Sequence, residues 1–188
     1  MKRVSLCATV VALVLFPTAV LATAVIAETM EEMTQHSGMV VRGTVRQVQV
    51  QLNNDTGRIY TYADIQVTEG LKGSRGGSVL VKTPGGEILG RGQGVAGAGT
   101  FVTGQDTVLF LEPAVDEQGV WILRALAAGK IDLEKSSKGE LRAVRHLEGI
   151  AFFDKAGSTV RRVHPEDDLG TPDAFLARIR TAALAGAR

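Results

Sequence analysis

The stretch "MVVRGTVRQVQVQL" at residues 39–52 changes its hydrophobic phase halfway along its length. Alternate positions over 41–45 share one face of an extended chain, and alternate positions over 48–52 share a face only after one residue is skipped. One extra residue at Arg46-Gln47 would produce this shift, which is what a β-bulge does to a strand. The stretch therefore predicts a long, bent first strand.

The segment that follows predicts a partner for that strand. "NNDTG" at 53–57 is a cluster of turn-forming residues. "RIYTYADIQVTEGLKG" at 58–73 then alternates, and its apolar side carries Ile59, Thr61, Ala63, Ile65 and Val67. Tyr60 and Tyr62 point to the opposite side, beside Arg58. We expect the two strands to form a hairpin.

Three more segments have the composition of strands, namely "SVLVKT" at 78–83, "DTVLFLEP" at 106–113 and "GVWILRALAAGKIDLE" at 119–134. The glycine-rich stretch at 84–104 has no helical pattern and is expected to be a long loop. Short strands without crossover helices favour an antiparallel barrel or sandwich. A bent, bulged first strand can pair with both ends of a five-stranded Greek-key barrel, so the sequence predicts a mainly β, OB-like fold.

Helical signals stand at both ends of the predicted barrel. Thr29 and Glu32 have the spacing of a capping box at the start of a short N-terminal helix. Thr171, followed by a proline, has the position of an N-cap before an amphipathic C-terminal helix over 172–185. An extra C-terminal hairpin is expected within 139–163.

These signals divide the chain into three parts. Residues 1–27 are expected to be a signal peptide, residues 28–134 the barrel with its N-terminal helix, and residues 135–188 an extension packed on the barrel. The alternative for the C-terminal helix is that it docks on a partner.

The beginning of the chain has the layout of an export signal. Lys2 and Arg3 precede an uncharged, largely apolar run over residues 4–27. Small residues permit cleavage after Ala24 or after Ala27, and we expect the second site because charged residues follow it directly. Exported, periplasmic or secreted localisation is the consequence; the alternative is an uncleaved membrane anchor.

Composition excludes several classes of protein. Cys7, the single cysteine of the chain, lies inside the predicted signal, so the mature part holds no disulfide. Removing residues 1–27 leaves 161 residues and takes two of the 21 basic residues, which gives 19 basic against 20 acidic side chains. Such a balance provides no basic surface for nucleic acid, and no membrane association is expected after cleavage.

No catalytic, cofactor or metal site is expected from the motifs. His36, His146 and His164 belong to three different segments, and none has the spacing of a zinc motif. "HPEDDLG" at 164–170 concentrates carboxylates but lacks the order of a calcium loop, so a solvated acidic linker is favoured over a cation site.

A dinucleotide-type G-x-G-x-x-G is formed by Gly92, Gly94 and Gly97. A phosphate site needs a strand before this motif and a helix after it. The residues after Gly97 lead into a strand, so we expect no phosphate binding. As the longest irregular segment beside a barrel rim, the loop over 84–104 is instead expected to contact a partner.

Five residues are expected to contact a ligand or partner: Arg58, Tyr60, Tyr62, Glu87 and Arg91. The first three share one face of the second strand, and this face receives ligands in OB-type barrels. The last two lie in the glycine-rich loop. The alternative for the tyrosines is packing against cross-strand neighbours.

The order of features resembles a known group of proteins. The quoted first strand, "GRIYTYADIQVTEGLKG", "VKTPGG", the G-x-D-x-V-L-F-L pattern at 104–111 and "AAGKIDL" resemble uncharacterised exported bacterial proteins with a netrin-like barrel, the fold of tissue inhibitors of metalloproteinases. The resemblance covers about residues 29–134 and implies the fold. Inhibition in that family uses an N-terminal cysteine, which the mature chain lacks, so this mechanism does not carry over.

We therefore expect an exported, non-enzymatic binding module of the cell envelope or extracellular space. Its protein or extracellular ligand is not identified by the sequence. Two alternatives stay open: a regulator or inhibitor of a secreted protease, and an envelope enzyme whose residues converge only in the folded chain.

Overall fold

A computed structural model describes residues 23–74, 76–154, 156–161 and 166–186. The two α-helices are α1 (Met30–His36) and α2 (Pro172–Ala185). The strands are β1 (Thr23–Ile26), β2 (Met39–Leu52), β3 (Ile59–Lys72), β4 (Ser78–Pro84), β5 (Gly86–Ile88), β6 (Arg91–Gln93), β7 (Asp106–Pro113), β8 (Val120–Leu123), β9 (Lys130–Lys135), β10 (Leu141–His146), β11 (Ile150–Phe153), β12 (Thr159–Arg161) and β13 (Glu166–Asp168).

The predicted bulge in β2 is confirmed. The register between β2 and β3 shifts between Val45 and Gln47, so the intervening residue has no partner. Another shift lies beside Gly43, where an added Cβ would approach the carbonyl oxygen of Gln66 to 2.5 Å. These irregularities bend β2 so that its first half pairs with both β3 and β7.

Five strands close into a ring in the order β2, β3, β4, β8 and β7. Closure depends on β8, which runs parallel to β4 and antiparallel to β7. The expectation of a mainly β, barrel-like fold is thereby confirmed at the level of the ring. The expectation of one strand over 119–134 is wrong, because a 3-10 helix at Leu126–Gly129 separates β8 from β9.

Strand β7 is shared between the ring and an outer sheet. One of its edges pairs with β8 over residues 111–113 and with β9 over residues 107–109. The sheet then continues outward through β10 and β13. Because both faces of β7 are covered, its apolar residues form a continuous buried run, with Leu109 and Leu111 in the ring and Val108 and Phe110 outside it.

Both helices pack in the outer core. Thr29 and Glu32 form the expected capping box of α1, and α2 has the bounds predicted from the sequence. Their buried side chains join those of β9, β10 and β11 in one cluster that includes Met30, Met33, Phe175, Leu176 and Ile179. The helices therefore pack on the outer-sheet side of the ring, and α2 also contacts β3.

The expected C-terminal hairpin over 139–163 is partly wrong. β10 pairs with β9 and β13, whereas β11 pairs with β12 and, in parallel, with β1. After β10, the chain turns and β11 pairs with the edge of β1 in place of β10. The two strands therefore belong to different sheets. β1 falls within the predicted signal segment, of which residues 1–22 lie outside the described residues.

The glycine-rich stretch is more ordered than expected. Within 84–104, β5 and β6 form a hairpin in place of a continuous loop. The chain leaves β6 through turns and enters β7 with no intervening helix. Gly92 and Gly94 have open space around the position of an added Cβ, while Gly97 has a φ of +75° beside Ile150.

Candidate functional site

A cavity of about 310 Å³ opens at the β3–β4–β8 side of the ring. It is lined by Arg58, Tyr60, Lys82, Thr83, Pro84, Gly99, Asp116, Ile122, Leu123 and Leu126. Arg58 and Tyr60 were expected from the sequence to contact a ligand. The structure thus places two of the five expected residues in one concave, largely apolar site, and concave sites of this kind bind small ligands and side chains.

The register of β3 and β4 positions the polar side chains of this cavity. Tyr62 lies opposite Lys82, and Tyr60 lies opposite Pro84. Val81 points into the ring, so the alternation of a strand directs Lys82 outward. Lys82 is nevertheless only 6% exposed, because the turn between β7 and β8 covers it.

A network of charges and rings holds the Lys82 ammonium. Its Nζ lies 2.7 Å from Oδ2 of Asp116 and 3.3 Å from Oε2 of Glu117. The same atom lies 4.4 Å from the centroid of the Tyr60 ring, a cation–π distance. The Tyr62 hydroxyl donates to Oε2 of Glu117 at 2.8 Å. The two tyrosines therefore join a polar network with the turn, beyond the cross-strand packing that was their alternative.

The network fixes the protonation of its members. Burial lowers the pKa of Lys82, but the hydrogen bonds to Asp116 and Glu117 outweigh this effect, and the pKa lies above its ordinary value. Burial and the hydrogen bond to Glu117 both raise the pKa of the Tyr62 hydroxyl. Lys82 is thus a cation and Tyr62 a neutral phenol at neutral pH.

Arg58 places a positive charge at the mouth of the cavity. It is exposed at the end of the β2–β3 turn and lines the opening. Among the residues that the structure describes, its guanidinium has no ion-pair or hydrogen-bond partner. A guanidinium in this state offers five donors to a carboxylate.

The cavity wall includes a strained segment of backbone. Ala125 and Leu126 both have a positive φ, of 54° and 55°, although neither is glycine. Leu126 contributes to the cavity, while the preceding Arg124 bonds Glu28 at 2.7 Å and also bonds Glu112. Strain of this kind persists only where surrounding contacts hold it, and it concentrates at functional sites.

Glu87 and Arg91 lie outside this cavity, on the exposed β5–β6 hairpin. The base of the hairpin is fixed to β3, because the side chain of Gln93 accepts the backbone N–H of Ile59 at 2.9 Å. A second hollow of about 390 Å³ lies beneath the hairpin. It shares Thr83, Pro84 and Gly99 with the first cavity. The hairpin therefore borders the same depression without lining its polar part.

Sequence analysis missed Lys82, Asp116 and Glu117. A lysine within the apolar strand "SVLVKT" is the signal that was present, since a lysine is almost never fully buried without a partner. Its partners come from a turn 34 and 35 residues later, and no local pattern connects them.

A group of metal-type ligands lies elsewhere, on the outer sheet. Asp132, Glu134 and His146 each offer one ligand atom, and these atoms lie within 4.8 Å of one another. The acidic segment expected to be a solvated linker at 164–170 is exposed at Glu166 and Asp168, but where the structure describes it, β13 pairs with β10, and Asp167 and Asp168 bond arginines. His164 lies outside the described residues.

No known family model matches the chain, and no curated protein matches it. Neither described helix combines the length and apolar character needed to cross a bilayer. The candidate site is therefore interpreted from its own geometry.

Proposed function

We propose that the protein is an exported binding module built on an OB-type Greek-key barrel. The ring strands, taken in chain order as β2, β3, β4, β7 and β8, place the third beside the fifth, in parallel. OB-type barrels bind ligands on the face of their second and third strands and on two adjoining turns. The cavity with Tyr60 and Lys82 occupies this position, and this observation carries the proposal.

The protonation of the site favours binding over catalysis. A lysine acts as a nucleophile or base when its pKa is lowered, and the pKa of Lys82 is raised. The Tyr62 phenol retains its proton and donates a hydrogen bond to Glu117. An envelope enzyme that uses these groups would need the opposite shifts, so we rank this alternative below the binding module.

The chemistry of the cavity favours a ligand that has both an acidic group and an apolar part. Ile122, Leu123 and Leu126 supply apolar surface, whereas Arg58 supplies a cation at the opening that no described residue pairs. The Lys82 charge is already balanced by Asp116 and Glu117. A protein segment with an Asp or Glu side chain beside an apolar residue satisfies both features, so we propose such a segment as the ligand.

The test uses an array of immobilised peptides. The peptides differ in the position of one Asp or Glu relative to their apolar residues. The wild-type chain is expected to prefer acidic–apolar peptides, and Arg58→Gln is expected to lose this preference. Arg46→Gln removes another exposed arginine, which lies on β2 outside the cavity, and is the matched control. Equal binding by wild type and Arg58→Gln would refute the assignment of the ligand.

A second candidate is the regulator of a secreted protease. Leu89 stands at the tip of the β5–β6 hairpin, 91% exposed and with a φ of +52°. Asn or Gly is preferred at such a hairpin position, so an exposed leucine there has a local conformational cost. A leucine presented in this way fits the side-chain pocket of a partner. Inhibition assays on a panel of secreted proteases with wild type and Leu89→Ala test this candidate.

The export part of the proposal concerns the first residues. The sequence favours a signal over residues 1–27; we propose instead that the signal ends before Thr23 and that β1 belongs to the mature protein. Thr23 donates its backbone N–H to Gly149 at 2.8 Å and its hydroxyl to Ala96 at 2.6 Å. Without β1, the hairpin of β11 and β12 would lose a neighbouring strand, and isolated hairpins are marginally stable.

A further inference from the structure

Two neighbouring strands of the outer sheet bring three metal-type ligands together. Asp132 and Glu134 are two residues apart on β9 and therefore share a face. Their antiparallel neighbour β10 ends at His146, on the same face. We propose that Asp132, Glu134 and His146 bind one zinc ion. This site is separate from the proposed binding cavity and does not rest on it.

The donor spacing suits zinc. Nε2 of His146 lies 3.5 Å from Oε2 of Glu134 and 3.7 Å from Oδ2 of Asp132. Two donors of a tetrahedral zinc site with bonds of about 2.1 Å lie about 3.4 Å apart. A small movement of the half-exposed Glu134 and His146 side chains is enough to complete the three bonds. Because both of these side chains are exposed to solvent, water can supply the fourth ligand.

The second ring nitrogen of the histidine provides an independent observation. Nδ1 of His146 lies 3.8 Å from Oε1 of Glu166 on β13. A zinc-bound histidine almost always directs its other N–H at a carboxylate or a carbonyl, which fixes the ring and its tautomer. At 3.8 Å the two atoms are beyond hydrogen-bond distance, so a small side-chain movement is needed before Glu166 accepts a hydrogen bond from this nitrogen.

Lys130 holds the carboxylate of Asp132, the buried ligand, in place. Its Nζ lies 2.6 Å from both carboxylate oxygens of Asp132. A carboxylate oxygen has two lone pairs, so Oδ2 can accept this hydrogen bond and coordinate zinc. Together Asp132, Glu134 and Glu166 carry three negative charges against one on Lys130, which leaves a net attraction for a divalent cation.

Sequence motifs fail here because the ligands are joined by a sheet. Zinc motifs detect ligands spaced along one helix or turn, whereas His146 and Asp132 meet only through the pairing of β9 with β10. No metal is therefore expected from the sequence motifs alone.

The experiment titrates the full chain, freed of metal with a chelator, with zinc chloride in a calorimeter. We expect one zinc per chain. Glu166→Gln should weaken binding about 10-fold or more, and His146→Ala should weaken it beyond the roughly 100-fold typical of outer partners. His36→Ala is the matched control, since His36 contacts Glu28 on another surface.

Two further readouts make the outcome decisive. Saturating zinc should raise the melting temperature of wild type and His36→Ala but not that of His146→Ala. X-ray absorption should show nitrogen and oxygen ligands without sulfur. Absence of stoichiometric binding, or equal affinity in wild type and His146→Ala, would overturn the proposal; Glu134→Gln repeats the test if His146→Ala does not fold.

Discussion

The Nζ atom of Lys82 lies 2.7 Å from Oδ2 of Asp116, although 34 positions separate the two residues. Lys82 belongs to the rigid ring, whereas Asp116 lies on the turn that covers it. The side chains are 7% and 67% exposed, so the lysine depends on the turn far more than the aspartate depends on the lysine. The pair therefore attaches a surface turn to the wall of the candidate site.

This asymmetry predicts a non-additive double-mutant cycle. Glu117→Gln alone should cost about 1 kcal/mol, and Asp116→Asn alone should have a small effect, because in each variant the other carboxylate still neutralises Lys82. The double variant should cost about 3 kcal/mol, since it leaves a buried ammonium without a counterion. Urea unfolding measures the three values. A double variant that equals the sum of the singles would show that the two carboxylates act independently.

The attachment of α2 predicts an acid-sensitive contribution to stability. Arg178 bonds Glu31 of α1 at 2.6 Å, and Arg180 bonds Glu69 of β3 at 2.7 Å. Hydrogen bonds from these arginines hold the pKa of Glu31 and of Glu69 below the ordinary 4.5. A carboxyl whose pKa is lower in the folded state stabilises above its unfolded pKa, and this stability is lost as pH falls through the folded pKa.

The measurement compares wild type with Arg178→Gln/Arg180→Gln in urea at several pH values. Because the pairs are partly exposed, the free energy of unfolding of wild type should exceed that of the variant by only about 1 kcal/mol at neutral pH. The difference should shrink below pH 4.5, the ordinary value for both carboxyls. Lys135→Gln/Lys138→Gln is the control without such pairs. A difference that stays constant down to acid pH would contradict the prediction.

The bulged strand predicts that alanine substitutions at two glycines have very different effects on stability. Gly43→Ala places a Cβ 2.5 Å from the carbonyl oxygen of Gln66, so it should destabilise the fold by about 1–3 kcal/mol. Gly92→Ala meets nothing within 4 Å and should change stability by less than about 0.5 kcal/mol. Thermal unfolding of both variants tests this. Equal effects would mean that β2 can shift away from β3 at Gly43.

The strained segment predicts a substitution that stabilises. Ala125 has a φ of 54°. Replacing it with glycine relieves the strain of the left-handed conformation, which stabilises the fold by roughly 1–2 kcal/mol. The greater conformational entropy of glycine in the unfolded state offsets about 0.5–1 kcal/mol of this gain. Ala125→Gly should therefore raise the melting temperature slightly. Ala127→Gly, at a buried position of the 3-10 helix, should lower it. A lower melting temperature for both would show that Ala125 contributes packing that outweighs its strain.

The position of β1 predicts the first residue of the exported protein. Cleavage after Ala22, in place of the sites after Ala24 and Ala27 that the sequence favours, leaves β1 intact and puts a small residue at the last position of the signal. Intact-mass and N-terminal sequencing of the exported protein should identify Thr23. A protein that begins at Glu28 would show that β1 is removed, and a full-length protein held in the cytoplasm would contradict export itself.

Much of the fold could be predicted because its signals are local. The phase change around Arg46 marked the bulge, the spacing of Thr29 and Glu32 marked α1, and the bounds of α2 followed from its cap and stripe. Each signal depends on residues within one strand or one turn of helix. The apolar run over 119–134 reads as one strand because both of its halves run in the same direction along β7, and the left-handed backbone at Ala125 that interrupts it has no glycine or proline to mark it.

The sequence by itself determined the β-rich character, the bend in the first strand, both helices and the face that carries Tyr60 and Tyr62. Only the tertiary structure decided that β8 closes the ring, that Lys82 meets Asp116, and that His146 meets Asp132. The reason is physical: alternation and capping act between neighbours in the chain, whereas a binding site forms from residues that meet only after distant strands pair.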